Sequence, residues 1–478
     1  MDKLAKSSSK WILSAFTFSV YYLIVGYKLL RIGIHGDGIE YACVARNMAE
    51  GWGTFWKPYL EDTLHPVFHE HPPLVYWIQS VFFSIFGDGV HFEAFYGFIV
   101  GIIILLCSAL FWQQTRRDFQ LRSVGIWWPM LLLSVLPIYG YLSQTNRMVF
   151  TFTVFATAAT YAAYRTIVAG KHVVVLSLIC GILVYLGFIS EGPVAWFTFA
   201  VPACGWLCLN IKFSRAVVAT LITAVTFSIL FVATSYFFPD SLEFWKGFWQ
   251  AQVIASLKST RGIGDTHWYL PERWVMEMIV PFTLVVIFKI VAGVPLRRLR
   301  FNHQAGFFLL VAAAGSLPFL ISKRQHARYI FQSFPFYVLS LAFFADAVAV
   351  KLEELLADRR SFRLAAGALA VVFVIVGVAS MLYYKGTIDR RQEFYNDFYL
   401  QNIRLPARIV VSVCPEQMIY DDWLFATMQR FYKVSLTGKM GHEYLIIDKH
   451  SNCRVPMNYQ RVQQQPTLKY ELYKRQGP

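Results

Sequence analysis

Apolar runs near or above the roughly 18 to 20 residues that span a bilayer core recur along most of this chain, and no other feature restricts its fold as strongly. Spans are expected near 11–30, 91–113, 124–142, 148–168, 172–189, 193–210, 216–237, 274–294, 304–321, 328–349 and 364–384, about eleven in all. Of the 478 residues 56% are hydrophobic and only 15% are charged, whereas soluble domains carry about a quarter charged residues. The chain therefore reads as a polytopic α-helical membrane protein. A cleavable signal is not expected, because the first run ends in "GYKLLRIGIHGDG" with no small-residue cleavage pattern.

The net charge of +15 follows the same layout. Arg116, Arg117 and Arg122, then Arg165 and Lys171, Lys212 and Arg215, Arg297, Arg298 and Arg300, and Lys351, Arg359, Arg360 and Arg363 all fall on the side of the N-terminus. By the positive-inside bias the N-terminus is cytoplasmic and the C-terminus extracytoplasmic, in the inner or plasma membrane. A nucleic-acid partner is not expected, since that would gather the charge on one soluble domain.

Three polar regions then lie outside: 31–90, 238–273 and everything after about 385. In the first, "GIEYACVARNMAEGWG" puts Tyr41, Val44, Ala45, Met48 and Trp52 on one helical face. A second helix is expected from Pro72 to Phe86, opened by prolines that a first turn tolerates. Both read as helices lying on the membrane surface, or as a packed external loop. Residues 386–478 form a small α/β unit beside the membrane domain 1–385, with strands near 407–414, 443–448 and 468–474 and a helix around 421–432. Five of the seven cysteines lie in or beside apolar segments; Cys414 and Cys453 lie in the external unit and are expected to form a disulfide.

Ionisable groups gather at the outer ends of the spans, where they are costly and tend to mark sites. They are Asp37 and Glu40, then His69, Glu70 and His71, Asn146 with Arg147, Glu191, His267, and "KRQHARY" with Lys323, Arg324, Arg328 and Tyr329. Singly each has a plain reading: Asp37 as a helix cap, Glu191 before Gly192 and Pro193 as a turn residue. Their convergence on one face is what points to a site. His69, Glu70 and His71 cannot all ligate one ion from an extended strand. Glu70 with His267 is the better pair for a divalent cation such as Zn, Mn or Mg, against a plain set of hydrogen-bonded loop side chains.

"GDGIEYACVARNMAEG", "EHPPLVYWIQSVFFSIFG", "SEGPVAWF", "HWYL" and "RYIFQSFPFYVLS" occur in an order and spacing that resembles the glycosyltransferase family 39 type over about residues 11–350. That type belongs to the membrane-embedded GT-C superfamily, with protein O-mannosyltransferases and the lipid A aminoarabinose transferase. The resemblance implies transfer of a sugar from a polyprenyl-phosphate donor to an acceptor lipid, glycan or protein at the outer face, among membrane lipids. Asp37 matches the general base. Glu70 and His267 match metal-holding positions, and Arg328 with Tyr329 match the cationic end that faces the carrier phosphate. Lys323, Arg324 and His71 would add phosphate contacts, and Glu40, Asn146 and Glu191 would line the substrate. This chain departs from the family at three places: His71 stands where Lys is frequent, Glu191 where Lys is frequent, and Asn146 where Asp is common. A transporter or flippase for a lipid-linked substrate is the alternative, and would show polar groups and helix breaks at mid-bilayer. A receptor displaying the C-terminal unit would need no charged clusters at span ends.

Overall fold

The computed structural model describes residues 2–34, 36–254, 268–321, 325–420 and 423–476. Helices run in the order α1 (Asp2–Val25), α2 (Gly36–Ala49), α3 (Leu74–Phe86), α4 (Phe92–Asp118), α5 (Trp127–Ser134), α6 (Pro137–Leu142), α7 (Met148–Val168), α8 (Val173–Glu191) and α9 (Val201–Cys208). They continue with α10 (Phe213–Phe237), α11 (Asp240–Phe248), α12 (Tyr269–Val291), α13 (His303–Ser316), α14 (Phe334–Phe344), α15 (Asp346–Asp358) and α16 (Arg360–Tyr383). The last, α17 (Leu424–Tyr432), belongs to the C-terminal unit.

Among the described residues six helical stretches are long and apolar enough to cross a membrane, or seven if the bent pair Ala327–Phe344 and Asp346–Asp358 is one span. The eleven expected runs are all helical, but hydropathy does not see their bends. The run 124–142 breaks at Pro137, where Glu277 of α12 accepts a hydrogen bond from the Ile138 amide at 2.7 Å. Between the expected runs 172–189 and 193–210 the chain doubles back where a turn was expected, at Gly192, whose φ of 80° few other residues adopt. Phe188 consequently stacks on Trp196 with centroids 5.7 Å apart, where eight residues of straight helix would separate them by about 12 Å. Helix α7 is less apolar because other helices enclose it: Thr151, Thr153, Thr157, Thr160 and Thr166 are all buried.

The two ends of the bundle differ in character. At one end the arginines of the basic loops are tied to carboxylates: Arg116 to Asp346, Arg122 to Glu354 at 2.5 Å and Arg165 to Asp118 at 2.9 Å. At the other end lie Asp37, Glu40, Glu70, Arg147, Glu191 and Arg328.

Of the two expected surface helices, α3 exposes the apolar row Trp77, Val81 and Ile85, as a helix bordering lipid should. Helix α2 does not lie on a surface. Its residues 38–47 are buried throughout, because α17 covers its other side and satisfies its polar groups. Arg46 donates to the Gln429 and Arg430 carbonyls at 2.9 and 3.2 Å, and the Cys43 thiol donates to the Ala426 carbonyl.

The C-terminal sheet has the order β2-β1-β3-β5-β4, with β1 Val410–Cys414, β2 Ser435–Thr437, β3 Tyr444–Asp448, β4 Tyr459–Arg461 and β5 Tyr470–Arg475. Strand β1 is parallel to β2 and β3, and β5 is antiparallel to β3 and β4. Three strands and the helix match expectation; β2 and β4, three residues each, are too short to leave a periodic signal. The sheet shares one apolar core with the segment between α1 and α4, where Ile39, Tyr41, Val44, Leu60 and Phe68 meet Val411, Val413, Leu436 and Ile446. Cys414 and Cys453 are bonded, with Cα atoms 6.1 Å apart. Non-reducing peptide mapping should recover this pair, and its reduction should lower the stability of the unit by about 2 to 4 kcal/mol.

Candidate active site

Asp37 stands in the first turn of α2 between two glycines, and both are required by close approach. A Cβ on Gly38 would lie 2.3 Å from the Thr145 carbonyl oxygen, and one on Gly36 would lie 2.6 Å from the Trp423 indole. The turn carrying Asp37 is thus wedged between the segment before α7 and the C-terminal unit. Asn146, with a φ of 50°, ties the first of these together. Its amide donates to the Gly38 carbonyl at 3.0 Å and accepts from Gln79 at 3.0 Å.

That register delivers Arg147 to Asp37. The guanidinium, 2% exposed, is ion-paired with the carboxylate, and Arg328 brings Nη2 to 3.7 Å from Asp37 Oδ2. The exposed Arg390 is near enough for its charge to oppose that of Arg147. Arg328 also lies over the Tyr329 ring at 5.5 Å, and that ring meets His326 edge-on. Arg328 lines a cleft of about 430 Å³ together with Tyr141, Tyr269, Arg273, Glu277 and His326.

Beside this lies an acidic and aromatic layer. His71 Nε2 is 2.8 Å from the Tyr41 hydroxyl. Glu40 is 5% exposed and faces Glu70 and Arg391. Glu191 lies within electrostatic reach of Arg328, Tyr41 and Tyr76. The three residues of "HEH" do not alternate as on an extended strand, because the chain bends at Glu70 and His71. His69 turns away onto Phe244 and under Gly247, where burial lowers its pKa, while Glu70 and His71 face α2.

Burial, then the charge of Glu70, pushes the Glu40 pKa well above the usual carboxylate range, with Arg391 opposing. A raised acid pKa means the folded state holds more protons than the unfolded one between the two values. Stability is therefore lost as pH climbs from the unfolded pKa, near 4.3. Glu40→Gln should melt with wild-type protein near pH 4 and above it at pH 7, as thermal unfolding across that range will show.

Of the residues expected from the sequence, Asp37, Glu40, Glu70, His71, Asn146, Glu191, Arg328 and Tyr329 gather at this end of the bundle. Lys323, Arg324 and His267 lie outside the described residues. Among the described residues no group of three His, Cys, Asp or Glu is placed to hold a metal ion, and Glu70 alone does not make such a site. Two features escaped the sequence reading. The pairing of Arg147 with Asp37 is one, and the other is the entry of Arg390 with Arg391 from beyond the last span. The rule about charges at span ends applies equally to "DRR" after α16 and would have found them.

Residues 70–238 match the profile of the family described as dolichyl-phosphate-mannose-protein mannosyltransferase. No curated protein matches the chain. Among solved structures, ArnT from Cupriavidus metallidurans in the apo state superposes with a TM-score of 0.63 at 14% identity, over 97% of this chain and 98% of that one. The same protein bound to undecaprenyl phosphate gives 0.59 at 15% identity over the same shares. The archaeal oligosaccharyltransferase AglB from Archaeoglobus fulgidus gives 0.46 at 12% identity, over 92% of this chain and 69% of that one. The chain thus carries a membrane mannosyltransferase family's signature over residues 70–238, on a fold that it shares with ArnT over nearly its whole length.

Proposed function

We propose that this protein transfers a sugar from a polyprenyl-phosphate carrier to an acceptor hydroxyl or phosphate at the outer face of the inner or plasma membrane, with inversion and with Asp37 as the general base. The N-terminus is then cytoplasmic and the C-terminal unit extracytoplasmic. The observation that carries this reading is the meeting of one carboxylate with the Arg147 and Arg328 guanidiniums, the second of which also lines a cleft of about 430 Å³. A base and a phosphate-binding charge are the two groups the reaction asks of a protein.

In the step itself the acceptor oxygen attacks the anomeric carbon while the bond from that carbon to the phosphate oxygen breaks. The electron pair leaves on the phosphate, and the acceptor proton goes to Asp37. Arginines aimed at the departing phosphate stabilise the charge that develops there. Arg328, half-buried at the cleft, takes the phosphate; Arg147, buried behind Asp37, fixes the carboxylate. Tyr329 braces Arg328, and His71, Lys323 and Arg324 are further phosphate contacts. Glu40, Asn146 and Glu191 shape the sugar side, Asn146 by holding the turn. No step is assigned to a metal held by Glu70 and His267, since the described residues do not complete a ligand set. Loss of turnover on chelation, with Glu70→Gln giving no further loss, would restore that ion as a phosphate ligand.

The test uses purified protein in lipid vesicles with a synthetic polyprenyl-phosphate sugar, and reads release of polyprenyl phosphate. Arg328→Ala should lower turnover about a hundredfold to a thousandfold. Movement of the intact donor across the bilayer without release would favour the flippase reading. That reading is less suited to charges gathered at one end of the spans.

A further inference from the structure

The C-terminal unit reaches the reactive end of the bundle at two places. The first is the segment leaving the last span. Ile32 and Asp389 exchange backbone hydrogen bonds with Thr387 and Ile32 at 3.0 and 2.8 Å, and Lys28 and Arg31 clamp Asp389 at 3.1 and 2.9 Å. This extended pairing holds the residues that lead into the Gly36–Asp37–Gly38 turn. It also carries Arg390 towards Arg147 and Arg391 towards Glu40.

The second place is Trp423. Its indole rests on the Cα of Gly36, so closely that a Cβ there would lie 2.6 Å from three ring atoms. The backbone that carries the indole is held in place. Trp423 precedes α17 in the left-handed region, its carbonyl accepts from Thr427 at 2.9 Å, and Thr427 in turn accepts from Arg391 at 3.2 Å. Helix α17 is bound along α2 through Cys43 and Arg46, and Gln429 donates to the Leu60 carbonyl at 2.7 Å. The Asp37 turn therefore has a ceiling of Trp423 opposite its floor of Thr145, and each face is pressed on a residue with no side chain to yield.

We infer that Trp423 is a positioning residue for Asp37, so that the C-terminal unit sets the aim of the reacting carboxylate. This rests on Asp37 being the base. Trp423 touches Gly36, not the reacting atoms, and it leaves the Arg328 cleft alone. Its loss should lower the rate of the chemical step while donor binding stays as it was.

The experiment uses the full-length protein in vesicles. Trp423→Ala should lower kcat about tenfold to a hundredfold, as displacements near 1 Å do, with KM for the lipid-linked donor held within about twofold. Trp423→Phe, keeping a ring over Gly36, should recover most of the loss. Gly36→Ala should reproduce the defect from the other side. The double variant Gly36→Ala with Trp423→Ala should be no slower than Trp423→Ala alone, because the methyl fills space the indole has left. A role in stability alone would not divide kcat from KM, and would not give this size-swap rescue. Wild-type kcat in both Trp423→Phe and Gly36→Ala would overturn the inference. So would a rise in KM at constant kcat, or losses that multiply in the double variant. If Trp423→Ala does not fold, Trp423→Phe and Gly36→Ala still decide. An active Asp37→Asn would overturn the base assignment itself, whereas an inactive Asp37→Asn beside silent Trp423 variants would overturn only the positioning role.

Discussion

Asp37→Asn is expected to remove about a hundredfold to ten-thousandfold of sugar transfer, the usual worth of general-base assistance. The amide keeps the shape of the carboxylate but cannot take the acceptor proton. The structure adds a second consequence, which the sequence alone would not suggest. Arg147 is almost wholly buried and paired with Asp37, so the substitution leaves a buried cation with only an amide oxygen to face. Breaking a pair of that kind typically costs about 3 to 5 kcal/mol. The 18% exposure of Asp37 and the nearness of solvent-reached Arg328 place this case at the lower end. Transfer should therefore be compared at a temperature where both proteins are folded, with donor binding measured separately. Turnover within a few fold of wild type at equal folded fraction would remove Asp37 from the chemistry.

How much of this was legible can be argued residue by residue. Apolar runs and the cation bias gave the membrane domain, because hydropathy acts on local sequence. The "GDG" and "HEHPP" stretches announced themselves as polar groups where polar groups are costly, and the two cysteines of the C-terminal unit were apart from the thiols in greasy segments. What stayed hidden depends on partners far along the chain. Arg46 meets Gln429 across 383 residues and Asp37 meets Arg147 across 110, and no periodicity records either contact. The membrane-surface reading of α2 failed for that reason. Its polar face looked solvated, yet α17 supplies carbonyls to Arg46. A bend inside a run is hidden too: the break at Pro137 leaves the hydropathy of 124–142 intact, whereas the turn at Gly192 was marked by its Gly-Pro pair.

The same long-range contacts make Arg430 the residue whose loss should most damage the docking of the C-terminal unit. Its guanidinium is 2% exposed. It donates to Glu93 at the start of α4 at 2.7 Å, is ion-paired with Asp88, and donates to the Gly89 carbonyl at 3.0 Å. Burial alone would lower its pKa, but Glu93 and Asp88 outweigh that and hold it charged. Arg430→Met leaves Glu93, itself only 5% exposed, as an unpaired buried carboxylate, so the expected loss is about 3 to 5 kcal/mol. Since α17 carries Trp423 on its leading end, the unit should loosen from α2. Limited proteolysis between the last span and the sheet should then speed up, and transfer should fall. Adding Glu93→Gln to Arg430→Met removes the stranded charge and should recover part of the stability, because an apolar or neutral replacement of a whole buried pair is frequently tolerated. If Arg430→Met melts within about 1 kcal/mol of wild type, or if Glu93→Gln makes it worse, the pair is not what holds the unit down. The apolar core shared by Ile39, Tyr41, Val411 and Leu436 would then be sufficient by itself.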